Sequence, residues 1–140
     1  MQADSASTDA GPLTTLLYVS ELRDFGAGEI DGICHQSRAN NAHDGITGLL
    51  VFDGHAFCQF VEGPPDAIAA LLERLERDPR HVKMRVLQHG PVGPGRRFPA
   101  WRLGYAYSAD PASIARIDRK QGSDALLEFD RLHPDWPASD

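Results

Sequence analysis

NNAHDGITGLLVFDGHAFCQFVEG, residues 40–63, packs a helix end, a hairpin and one misplaced polar residue into a single run. Asp44-Gly45 ends the helix, because glycine tolerates the positive φ that a helix terminus needs. Ile46 to Phe52 reads as a strand, Asp53-Gly54 is a two-residue hairpin signal, and Ala56 to Glu62 returns antiparallel. Gln59 sits in the middle of that otherwise apolar return strand. An amide buried without partners costs a few kcal/mol, so Gln59 needs a specific partner. Alternation puts Phe57, Gln59 and Val61 on one face and Ala56, Cys58 and Phe60 on the other.

Outward from the hairpin, residues 13–20 (LTTLLYVS) make a first strand. Glu29 to Asn41 has helical spacing, with Ile33, Ser37 and Asn41 along one stripe. After Gly63-Pro64-Pro65-Asp66, the residues Ile68, Leu71, Leu72 and Leu75 form the apolar face of a second helix, stopped by Asp78-Pro79. Val82 to Gln88 is a fourth strand, with Val82, Met84 and Val86 on one side. Arg102–Tyr107 is a short fifth strand. The chain is therefore α+β: a ferredoxin-like βαββαββ order with a five-stranded mixed sheet and two helices on one face. The other face is also apolar and needs a cover. Ile114, Ile117, Leu126, Leu127 and Phe129 lie in two short helical patches, so this segment or a second copy of the chain is expected there. The expected division is a disordered leader over 1–12, a folded domain over 13–107 and a C-terminal helical cap over 108–140.

A formal net charge of −6 over 140 residues argues against nucleic acid or an acidic membrane surface as partner. No apolar run reaches the roughly 20 residues of a membrane span. MQADSASTDAGP lacks the features of a signal peptide. Cys34 and Cys58 lie within regular elements without metal-ligand spacing, so reduced thiols and a cytoplasmic location are expected. The six histidines show no metal-binding spacing, and metal ligands are expected to be none. Ser20, Ser37 and the cysteines lack a base partner for nucleophilic catalysis. Taken singly, Gln59 is a satisfied structural amide, Tyr18 a core tyrosine, and Arg74 and Arg80 solvated charges.

Together, Tyr18, NNAHDGITGLL (40–50), FCQFVEG (57–63), DPRH (78–81) and RRFPAW (96–101) resemble the BLUF family, small flavin-binding sensors of blue light. The resemblance spans about residues 13–107. It implies FAD, bound non-covalently, by Ile33, Asn40, Asn41, Gln59, Arg74, Asp78 and Arg80. It implies Tyr18 as photochemical electron donor, Gln59 as the hydrogen-bond switch, and Trp101 and Leu103 on the relay to the fifth strand. The family pattern has methionine where this chain has Leu103, and leucine cannot accept a hydrogen bond from the switching amide. With 33 residues after Tyr107, the expectation is a non-catalytic receptor acting through a downstream protein partner, as a homodimer or higher homo-oligomer. Two other readings stand beside it: a small flavin-dependent or ferredoxin-like enzyme, and a flavin-free interaction module. The colour of the purified protein separates the flavin-free module from the sensor.

Overall fold

Residues 12–22, 27–91, 95–99, 102–108, 110 and 112–132 are described by the computed structural model. The expected leader falls outside them, apart from Pro12, and so does Trp101. The β-branched and aliphatic run from Thr14 to Leu22 forms β1. Helix α1 spans Ala27–Asp44, a turn longer than the stripe alone predicts, and ends where Gly45 takes φ 74°. Then follow β2 (Thr47–Phe52), β3 (Ala56–Gly63), α2 (Pro65–Arg77), β4 (His81–Pro91) and β5 (Gly104–Tyr107). Two short helices, α3 (Ala112–Asp118) and α4 (Gly122–Asp130), come last.

The sheet order is β4-β1-β3-β2-β5. Its first four strands pair antiparallel, and β5 joins β2 in parallel. That is the ferredoxin-like arrangement with one added strand. Register places Tyr18 directly opposite Gln59, and Gln59 opposite Leu50 on its other side. Gly48 makes the β2–β3 pairing feasible, since a Cβ there would lie 2.0 Å from the Phe60 carbonyl oxygen. Any larger residue must push the two strands apart.

Two apolar layers sandwich the sheet. Leu16, Tyr18, Leu50, Phe57 and Val61 meet Ile33, Ile68 and Leu71 on the side of α1 and α2. Leu17, Val19, Leu49, Val51, Cys58 and Phe60 meet Ile114, Ile117, Leu126 and Phe129 of α3 and α4 on the other. The cap thus covers the second face, through four of the five residues named from sequence. Leu127 is the exception: it points outward and is 60% exposed, because the helical period turns it away from Leu126 and Phe129. Simple alternation also fails along β4. The pairing with β1 shifts register twice, Lys83 adopts φ 58°, and Leu87 joins the cap-side core while Val86 is 37% exposed. Such bulges re-aim side chains that period-two counting would place on one face. Of the fifth strand, Arg102 and Leu103 precede the regular pairing, which starts at Gly104.

Candidate functional site

Side-chain polarity is concentrated on the helix side of the central strands. Tyr18 is fully buried and its Oη–H donates to Gln59 Oε1. Phe57 packs edge-on against the Tyr18 ring, with centroids 6.0 Å apart. Burial pushes the Tyr18 phenol far above its ordinary pKa, and the fields of Cys58, Asp78 and Cys34 add to the shift. Tyr18 is therefore a neutral donor at any ordinary pH. Gln59 is 2% exposed, and its Nε2 has no hydrogen-bond partner among the described residues. Leaving such a donor unpaired costs about 1–3 kcal/mol.

Asn41 completes the α1 stripe and is 1% exposed. Its Nδ2 donates to the Arg102 carbonyl at 2.6 Å, leaving Oδ1 without a donor among the described residues. Arg38, one helical turn earlier, donates through Nε to the Leu103 carbonyl at 3.0 Å. Two α1 side chains thus hold the main chain at the entrance of β5. The Leu103 side chain itself is fully buried in the helix-side core.

Between α1 and α2 opens a cleft of about 360 Å³, within the range of small-molecule sites. Tyr18, Ile33, Phe57, Leu71 and Leu75 supply its apolar lining. Asn40, Arg74, Arg77, Asp78 and Arg80 supply its polar lining. Arg80 grips Asp78 through three contacts of 2.6–3.1 Å and reaches Gln36 on α1 at 2.9 Å. Arg74 lies 3.6 Å from Asp44 at the end of α1. Of the residues singled out from sequence, Tyr18, Ile33, Asn40, Arg74, Asp78 and Arg80 border this cleft together. Asn41 and Gln59 do not border it; they are buried on the same side of the sheet. No group of three or more His, Cys, Asp or Glu side chains that could hold a metal occurs among the described residues.

Residues 13–104 match the family described as sensors of blue-light using FAD. The chain belongs to the BLUF family. Its BLUF region is 33% identical over 100 residues to the photoactivated adenylate cyclase subunit beta of Euglena longa, covering 70% of this chain but 12% of that protein. It is 33% identical over 87 residues to the blue light- and temperature-regulated antirepressor BluF of Escherichia coli strain K12, covering 61% of this chain and 21% of that one. The fold aligns with the dark-state structure of the BLUF protein BlrB at a TM-score of 0.72 and 31% identity, over 86% of this chain and 93% of the other. The chain thus spans a small fraction of the curated relatives it matches and nearly all of BlrB.

BLUF domains bind flavin, and the side chains here suit that group. A flavin ring edge presents a ring N–H beside carbonyl acceptors, while the described residues leave a buried acceptor, Asn41 Oδ1, and a buried donor, Gln59 Nε2, on the helix side of the sheet. The ring's faces are apolar, as are Ile33, Leu71 and Leu75. Three cleft residues escaped the sequence reading. Gln36 lies on α1 one residue before Ser37 of the stripe. Phe57 was seen to share a face with Gln59, but its contact with Tyr18 depends on the β1–β3 register. Arg77 was legible: Arg74, Arg77 and Arg80 recur every third residue. No helix among the described residues is long and apolar enough to cross a membrane.

Proposed function

We propose that this BLUF domain is a blue-light photoreceptor that binds FAD non-covalently in the α1–α2 cleft and signals to a protein partner without catalytic turnover. The observation that carries the reading is the buried Tyr18–Gln59 hydrogen bond, with a Gln59 amide donor that has no partner among the described residues. Ile33, Leu71 and Leu75 would pack on the ring and Asn40 would lie beside it; Asn41 and Gln59, which do not line the cleft but are buried on the same side of the sheet, would meet the polar edge of a ring seated deeper than the cleft. Arg74, Arg77 and Arg80 give the cleft a cationic rim suited to a diphosphate, which favours FAD over a flavin lacking phosphate.

When bound, the flavin would supply a light-driven one-electron oxidant, with Tyr18 as the donor to which the electron comes back. The chain's own part is proton control. Burial disfavours ionising the phenol in advance, so its proton would move with the electron along the bond to Gln59 Oε1 and come back to the phenol oxygen when the electron does. Gln59 can both accept and donate; once Tyr18 no longer donates, the amide is released to rotate or tautomerise. Its new hydrogen bonds persist until the dark state re-forms. The domain thus holds two hydrogen-bond arrangements of one network, each biasing the elements around it.

The test is reconstitution of apoprotein with riboflavin, FMN and FAD, followed by flavin fluorescence quenching. Tightest binding of FAD is expected, with Arg80→Ala weakening FAD more than riboflavin. Equal affinity for all three would remove the phosphate role, and failure to bind any of them would leave a flavin-free interaction module.

A further inference from the structure

Adjacent residues of β3 look in opposite directions, and this chain exploits the fact twice. Gln59 faces Tyr18, while Phe60 faces the cap, meeting Phe98 edge-on with centroids 5.7 Å apart and the tilted ring of Phe129 of α4 at 5.9 Å. Two residues further on, the buried Glu62 carboxylate accepts the backbone N–H groups of Arg97 at 2.9 Å and Phe98 at 2.7 Å. Arg96 adds bonds to the Glu62 carbonyl at 3.1 Å and to Gly45 at the end of α1 at 2.8 Å. The Arg97 main chain is thereby fixed to β3. Its guanidinium lies 5.5 Å over the Phe60 ring and forks onto both carboxylate oxygens of Asp130, the last residue of α4, at 2.6 and 2.7 Å.

We propose that Arg97 is a positioning residue that couples the Tyr18–Gln59 strand to the C-terminal cap, so that movement of β3 loosens α4. The proposal rests on the photosensor reading above. A displacement at Gln59 moves Phe60 and Glu62 on the same strand, and Arg97 answers to both. Its pair with Asp130 is only partly shielded, at 34% and 41% exposure, so it is weak enough to open without unfolding the cap. The second fork, from Arg85 Nε on β4 to Asp118 of α3 at 2.8 Å, is attached to a different strand and serves as the fixed hinge. Opening at Arg97 with Arg85 intact would swing α4 and leave α3 seated.

The experiment is amide hydrogen exchange of residues 122–130 in flavin-loaded protein, dark and illuminated, with absorption spectra recorded on the same samples. In the parent protein, light is expected to speed α4 exchange. Arg97→Gln keeps the backbone bonds to Glu62 but loses the fork. It is expected to exchange about fivefold faster in the dark, the size a partly exposed ion pair supports. Light should add little more in that variant, while the spectral shift stays unchanged. Asp130→Asn should do the same, which guards against an Arg97 variant that fails to fold. A full light-minus-dark difference in both variants, or an α4 indifferent to light in a parent protein that shifts, would overturn the coupling alone. A parent protein with no spectral shift would overturn the photosensor reading, and the coupling with it.

Discussion

The two faces of the sheet are built to opposite standards. On the cap side, Leu17, Val19, Cys58, Phe60 and Phe129 form an apolar layer whose Arg–Asp pairs sit at the rim and whose buried carboxylate, Glu62, is met by the backbone N–H groups of Arg97 and Phe98. On the helix side the core is interrupted by Tyr18, Gln59 and Asn41, with an open cleft beside them. Cores are normally packed without voids and with polar groups satisfied. The cap side obeys that rule; beside the paired Tyr18, the helix side breaks it at Gln59 and Asn41, whose amides each keep one atom without a partner among the described residues. The contrast assigns stability to one face and chemistry to the other.

The largest effect should come from the stabilising face. Phe129→Ala removes a fully buried ring from the cap layer and should cost about 3–5 kcal/mol, read by urea denaturation, while the flavin spectrum of the folded fraction is unaltered. Altered photochemistry with unaltered stability would invert the division of labour. Next is Tyr18→Phe, which deletes one hydroxyl beside Gln59. It leaves the buried Gln59 Oε1 without its donor, so it should cost about 1–3 kcal/mol and retain flavin, yet abolish the light-induced shift. A normal photocycle in this variant would refute the donor assignment.

A smaller effect should appear in alkali. Burial raises the Cys34 thiol from 9.0 to about 11, and it raises Cys58 as well. The unfolded thiols ionise first, so stability is complete below pH 9 and declines as pH climbs through the folded values. Thermal midpoints measured from pH 8 to 11 should fall, less steeply in Cys58→Ala. A flat profile would mean the thiols ionise equally in both states. Least of all is Leu103→Met, a volume-conserving core change that should alter stability by under about 1.5 kcal/mol. It adds an acceptor near the switching network, and a changed dark-recovery rate is expected. Identical recovery would show that the main-chain bonds of Arg38 and Asn41 suffice to hold the β5 entrance.

Much of this division was legible in the chain itself. The period-two pattern of residues 56–62 places Gln59 and Phe60 on opposite faces, and the hairpin at Asp53-Gly54 fixes the β2–β3 register. Ferredoxin-like order then makes β1 and β3 neighbours, which brings Tyr18 to Gln59. Sequence could not reveal where β4 bulges, because Lys83 takes a positive φ without being glycine. Nor could it pair Arg97 with Asp130 or seat Arg97 and Phe98 on Glu62, since those contacts join segments more than 30 residues apart. Leu127 was misread because a short amphipathic helix tolerates one exposed leucine among buried ones.

The central claim is that the buried Tyr18–Gln59 bond is a light-operated switch. It is tested most directly by the absorption spectrum of the flavin-loaded protein in the dark, under blue light and through recovery, beside Gln59→Leu. The account predicts a flavin spectrum that shifts to the red and returns in the parent protein, and one that stays fixed in the variant. A parent spectrum unmoved by light, or a Gln59→Leu protein that shifts and recovers as the parent does, would contradict it.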